Sequence, residues 1–212
     1  MSFRTDVVPP EVIQLLSRSA RILDPLPEAY LAGGTALALH LSHRISVDLD
    51  FFVPQAFLAG NLRPRLIEAG KFTPITVRDD SIVCRIDTVQ WSLFKYEYPL
   101  LQSPEQYAGI RIASVRDIAA MKVVAIGDRG SRKDFYDLYT ILHFGGLEIR
   151  NILEDVAEKF QLPHDNLYHY TRALSYFDDA AKTPDIQDML RIDVRWPDVE
   201  GFFRRLAKTL IP

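Results

Sequence analysis

A chain of 212 residues, 48% hydrophobic and 25% charged, has ordinary globular composition and is long enough for one well-cored domain or a domain with a small helical appendage. Its net charge of −3 excludes a protein that coats nucleic acid through a basic excess, while leaving room for a local basic groove. One cysteine, Cys84, excludes an internal disulfide, and its neighbours Ile82 and Val83 predict a buried thiol. No charged-then-apolar leader pattern and no run of membrane-spanning length is present, so a cytoplasmic protein with no membrane partner is expected.

Residues 10–23 start with proline at a first-turn position and repeat apolar residues at helical spacing, which predicts a helix that Asp24-Pro-Leu-Pro27 stops. The stretch from Tyr30 to Phe52 follows. It reads as a short apolar strand, a glycine turn at Gly33-Gly34 that opens a helix at Thr35, and a second strand on which Asp48 and Asp50 alternate with Val47, Leu49 and Phe51. Strand alternation predicts both carboxylates on one face and Val47, Leu49 and Phe51 in apolar packing on the other. Such a pair is unfavourable unless something positive neutralises it. A hard divalent cation, Mg²⁺ or Mn²⁺, suits carboxylate oxygens and keeps positions open for substrate phosphate. Arg44, just before the pair with Ser46, is the metal-free alternative. Gly33 and Gly34 permit close backbone approach, and the helix N-terminus at Thr35 favours anions, so a phosphate cradle beside a metal-binding pair suggests phosphoryl or nucleotidyl transfer. His40 and His43, three apart with no third ligand at a suitable distance, read as surface histidines.

Residues 54–70 predict a helix across the sheet through Phe57, Leu58, Leu62, Leu66 and Ile67, ended by Gly70. Three strands are expected over 72–78, 82–87 and 90–98, and the short breaks between them predict antiparallel hairpins. Pro99 to Gly109 reads as a loop. Helices are then expected from Ser114 to about Gly127, from Ser131 to Phe144, over 147–160, over 165–181, and over 198–210. The fold class is α+β, a mixed sheet flanked by helices. A boundary at Gly145-Gly146 would separate a domain of residues 1–145 from a helical region of 146–212.

In the helix from Val115, Lys122 sits inside the apolar stripe of Ile118 and Ile126. It must snorkel, pair with a core carboxylate, or serve as a cation for nucleotide phosphates. In the next helix Asp134 and Asp137 share a face with Leu138 and Ile141, and either is a natural partner for Lys122. Arg132 and Lys133 are candidate phosphate contacts, whereas Arg129 and Arg132 otherwise read as a solvated loop. Tyr96, Tyr98, Tyr136 and Tyr139 read as aromatics at the rim of the core.

Gly33-Gly34, an intervening helix, and Asp48-Leu-Asp50-Phe51 resemble the opening motif of the nucleotidyltransferase superfamily. The wider Gly-Gly-Thr-Ala-Leu and Arg44-Ile-Ser-Val-Asp-Leu-Asp, with Asp117-Ile-Ala-Ala-Met-Lys122 and Lys133-Asp134-Phe-Tyr-Asp137-Leu138, is similar to the AbiEii/AbiGii toxin-type enzymes over residues 30–142. The resemblance implies a mixed-sheet nucleotidyltransferase fold that moves a nucleoside monophosphate from an NTP to a hydroxyl acceptor on a tRNA end or a protein. It implies Mg²⁺ held by Asp48 and Asp50, a phosphate cradle of Gly33, Gly34 and Thr35, and Lys122 and Asp134 around the nucleotide. It also implies the toxin of a toxin–antitoxin pair, with a cognate antitoxin as partner. Many such enzymes carry a third carboxylate on a later strand, but residues 90–98 have none at their centre, Asp87 and Glu97 lying at the ends. This departure leaves open one-metal chemistry, a base supplied by the substrate, or a catalytically silent fold that binds a nucleotide or a protein.

Overall fold

The computed structural model describes residues 3–163 and 166–210, which divide into two compact units, Met1–Ser114 and Val115–Pro212. In the first unit, helix α1 (Pro10–Leu23) starts at the proline and buries Val12, Leu15, Leu16 and Ile22, as its periodicity predicts. There follow β1 (Tyr30–Ala32), α2 (Gly33–Leu41), β2 (Leu49–Val53) and α3 (Ala59–Ala69). Five more strands complete the unit: β3 (Phe72–Arg78), β4 (Ser81–Ile86), β5 (Val89–Lys95), β6 (Glu105–Tyr107) and β7 (Ile110–Ile112).

These strands form one seven-stranded sheet in the order β3-β4-β5-β2-β1-β7-β6. The expected hairpins β3–β4 and β4–β5 are antiparallel, as are β1–β2 and β6–β7, while β2–β5 and β1–β7 run parallel. The fold is therefore the expected mixed α+β type. Its centre is apolar: Phe51 and Trp91 meet with ring centroids 5.4 Å apart, and Leu31, Leu93, Ile82 and Ile112 are buried beside them.

Three expectations for this unit need correction. Val47 is 40% exposed, because it precedes the β2 ladder, which starts only at Leu49. Helix α3 starts at Ala59 rather than Pro54 and buries Ala59, Leu62, Leu66 and Ala69; Leu58, at its N-cap, and Ile67, about 100° round from Leu66, face outward. The expected loop from Pro99 to Gly109 contains β6, which pairs with β7 across a turn at Ala108 and Gly109, both at positive φ.

The second unit is helical: α4 (Val115–Asp128), α5 (Arg132–Phe144), α6 (Ile149–Phe160), α7 (Leu167–Ala173), α8 (Asp178–Ala181), a 3₁₀ turn at Gln187–Met189 and α9 (Trp196–Leu210). Gly145 and Gly146, the composition-based boundary, lie between α5 and α6. Of the single helix expected over 165–181, Asp165 lies outside the described residues, and the remainder breaks after Ala173. Leu174 and Phe177 are buried in that break, and Phe177 packs on Phe135 at 5.0 Å. Phe135 also meets Trp196 and Phe203, so an aromatic cluster holds α5 to α9.

Candidate active site

Seven of the residues singled out by sequence converge at the N-terminus of α2. Gly33 adopts φ +70°, and a Cβ there would lie 3.4 Å from Oδ2 of Asp50, so the Asp50 carboxylate rests against this glycine. At Gly34 a Cβ would fall 2.2 Å from Nη2 of Arg44 and 3.2 Å from Oγ of Ser46. The bare backbone of the turn is thus the floor on which a guanidinium and a carboxylate sit side by side. Thr35, buried at the start of α2, donates its hydroxyl to the carbonyl of Asp48 and is hydrogen-bonded at 2.8 Å to the hydroxyl of Ser46. Those bonds tie the segment carrying Arg44, Ser46 and Asp48 to the helix N-terminus, where unpaired N–H groups favour an anion.

On β2 the alternation is as expected, with Leu49, Phe51 and Val53 buried and Asp50 partly exposed. Asp48 precedes the strand and is also partly exposed. Among the described residues no group of three or more His, Cys, Asp or Glu side chains is gathered for a metal. Two accessible carboxylates nonetheless fit Mg²⁺, which keeps several waters and completes its shell with substrate phosphate.

The β5 register decides where a third carboxylate would have to be. Asp50 is opposite Ser92, and Phe52 is opposite Phe94, so the residues of β5 on the Asp50 face are Gln90, Ser92 and Phe94, none acidic. Asp87 lies in the hairpin, where the Lys71 N–H and the Arg18 guanidinium bind it and hold its carboxyl below the usual range. Glu97 pairs with Lys95. Both acids at the strand ends are engaged locally.

In the second unit, Lys122 does not snorkel. It is 7% exposed, and its ammonium lies 2.9 Å from Oδ1 of Asp134 and 2.7 Å from Oδ2 of Asp137, pairing with both candidates at once. The Ser131 hydroxyl, at the N-cap of α5, donates to Asp134 Oδ2 at 2.6 Å, and Arg129 approaches the same oxygen at 3.4 Å. Burial alone would raise the Asp134 carboxyl; the charges of Lys122 and Arg129 and the hydrogen bonds from Lys122 and Ser131 outweigh it and hold the group below its ordinary value. Lys133 is partly exposed on α5. Arg132 is not the solvated residue expected: it pairs with Asp185 at 3.3 Å and stacks over Trp196 at 5.3 Å.

Sequence reasoning misplaced both histidines and missed one ion pair. His43 is buried, and His40 hydrogen-bonds the Ala113 carbonyl at 2.9 Å, since α2 is enclosed along most of its surface. Lys159 and Asp117, both fully buried, meet at 2.8 Å between α6 and α4. The signal was present in the stripe Ile152, Val156, Lys159, the same kind of intrusion that marked Lys122.

Residues 14–93 and 83–205 match the family described as nucleotidyl transferase AbiEii toxin, type IV TA system. The chain belongs to the AbiEii nucleotidyltransferase family. A relative in Aquifex aeolicus, uncharacterized protein aq_aa25, is 36% identical over 183 residues, covering 84% of this chain and 86% of the relative. Among solved structures, JHP933 from Helicobacter pylori superposes with a TM-score of 0.51 at 17% identity, covering 96% of this chain and 94% of that one. The antibiotic-resistance factor ANT(2'')-Ia gives 0.53 at 17% identity, covering 76% and 97%. These likenesses establish the nucleotidyltransferase fold, and family membership makes the AbiEii-type chain a nucleotidyltransferase. No helix among the described residues is long and apolar enough to cross a membrane.

Proposed function

We propose that this AbiEii-family protein transfers a nucleoside monophosphate from an NTP to a hydroxyl of a tRNA end or a protein, as the toxin of a toxin–antitoxin pair. The observation that carries this reading is the convergence of Gly33, Gly34, Thr35, Arg44, Ser46, Asp48 and Asp50 on one helix N-terminus. In the reaction the acceptor oxygen bonds to the α-phosphorus, the bond from that phosphorus to the bridging oxygen of the β-phosphate breaks, pyrophosphate leaves and the hydroxyl proton passes to water. Backbone N–H groups of the turn and the Arg44 guanidinium hold triphosphate oxygens. Asp48 and Asp50 would hold Mg²⁺ or Mn²⁺, which supplies charge neutralisation at the phosphates. Within the second unit, Lys122, fixed by Asp134 and Asp137, and the partly exposed Lys133 are the cations suited to phosphate.

A second reading, a silent fold that binds a nucleotide or a protein partner, is favoured by the absence of an acidic residue on the Asp50 face of β5. Incubation of cell extract with each α-labelled NTP and Mg²⁺ separates the two. Label should enter an RNA or protein acceptor with the wild type and be lost at least a hundredfold with Asp48→Ala at unchanged circular dichroism. Metal-dependent nucleotide binding without any transfer selects the silent fold.

A further inference from the structure

The second unit contains a groove that the transfer chemistry above does not use. It encloses about 880 Å³ and is walled by the end of α4 at Ile126 and Gly127 and by α7 and the turn after it. Three tyrosines line it, Tyr168, Tyr170 and Tyr176, with His169 and Arg172. Tyr168, in α7, and Tyr176, in the turn after it, are 54% and 53% exposed, large rings presented to solvent. The Arg172 guanidinium lies over the Tyr168 ring, 5.8 Å from its centroid, which orients a cation and a flat surface together. The wall is built tightly: a Cβ at Gly127 would fall 2.7 Å from the Tyr170 ring and 3.4 Å from His169 Nε2, so α7 rests on bare α4 backbone. Among the described residues the acid lining the groove is Asp179, matched by Lys182 at 2.9 Å, and the guanidinium of the wall is that of Arg172.

Exposed aromatic rings beside an arginine stack the π-faces of nucleobases whatever their sequence. A groove of this size and lining is within the range of small-molecule sites. Ile126 is also four residues beyond Lys122 on α4, so the groove starts one helical turn, about 6 Å, from the cation assigned to phosphate. We propose that this groove is a nucleobase site, with Tyr168 and Tyr176 as stacking surfaces and Arg172 as the cation beside them. The choice of ligand class rests on the nucleotide-transfer reading; the base belongs either to the donor nucleotide or to the end of an acceptor strand.

The test is a chemical-shift titration in EDTA, up to millimolar ligand, with the four nucleoside monophosphates and with a six-nucleotide single-stranded RNA. Tyr168→Ala, Tyr176→Ala and Arg172→Ala are compared with wild type, and Glu68→Ala, an exposed position of α3, serves as a control outside the groove. Both tyrosines are exposed, so their truncation leaves the fold intact, which the spectra themselves report. Each tyrosine variant should bind about fivefold or more weakly, and Glu68→Ala as wild type does. Weakening with mononucleotides assigns the groove to the donor base, and weakening confined to the RNA assigns it to a strand end. Unchanged affinity in every variant, or no binding of either ligand by the wild type, overturns the proposal. If the groove binds while Mg²⁺-dependent NTP binding is absent, the transfer reading fails and the groove stands.

Discussion

The two adjacent glycines of the turn are not equivalent, and the difference lies in the side chain that each one faces. Gly33 has φ +70°, where an alanine is strained by about 1–2 kcal/mol, yet its Cβ would only touch Asp50 at ordinary contact distance. Gly34 lacks the positive φ, but its Cβ would collide with the Arg44 guanidinium at 2.2 Å. Gly33→Ala should therefore lower the urea midpoint with a modest effect on nucleotide affinity. Gly34→Ala should displace Arg44, which is buried, and so lower the midpoint as well, while weakening NTP binding about tenfold, the loss of one charge-assisted contact. Paired denaturation and calorimetric titrations of both variants check this, and a Gly34→Ala protein that binds as wild type would remove Arg44 from the phosphate site. Both glycines were legible in the sequence as a permissive turn. What each one faces was not, because Arg44 and Asp50 reach them from ten and seventeen positions along the chain.

Among the helices, the fully buried Asp117–Lys159 pair joins the first turn of α4 to the last turn of α6, and Arg116 pairs with Asp155 beside it. Removing one member of a buried ion pair leaves a charge without its compensation, whereas replacing both by apolar groups of similar volume is neutral or stabilising. Lys159→Met alone should cost about 3–5 kcal/mol, and Asp117→Leu with Lys159→Met should recover most of that loss. Urea denaturation of the two singles and the double measures the coupling, and additive losses would contradict it. The same comparison explains which elements the sequence revealed. Helices α1, α4, α5 and α6 and strands β3 and β4 carry clear periodicity and turn residues, and their expected bounds agree with the structure to within about two residues, whereas β5 ends at Lys95, three residues short of the expected Tyr98. Strand β6 is three polar or half-polar residues, Glu105-Gln-Tyr107, and owes its conformation to pairing with β7 rather than to its own pattern. The break between α7 and α8 has no glycine or proline; it follows from burying Leu174 and Phe177, a tertiary demand without a local signal.

For the whole molecule, nucleotide binding and stability are linked, since a ligand that binds only the native state stabilises it in proportion to the logarithm of its concentration. The candidate site was legible to the extent that its chemistry was local: the Gly-Gly turn, the acidic pair and the lysine within an apolar stripe each announced themselves. The missing β5 acid was also readable, and the register turned it into a geometric fact, with Ser92 opposite Asp50. In the proposed reading, two accessible carboxylates hold the cation with the triphosphate completing its shell, so metal and nucleotide should bind together and poorly apart. At a nucleotide concentration a hundred times its dissociation constant, the stabilisation is about 2.7 kcal/mol, which for a chain of this length raises the thermal midpoint by about 5–10 °C. Mg²⁺ alone, NTP in EDTA, and both ligands with Asp48→Ala should each give a small fraction of that rise. Differential scanning calorimetry over the four combinations reads the coupling directly. A full shift with NTP in EDTA would mean that the glycine turn and Arg44 hold the triphosphate without metal, and the acidic pair would then need another role than joining metal to nucleotide.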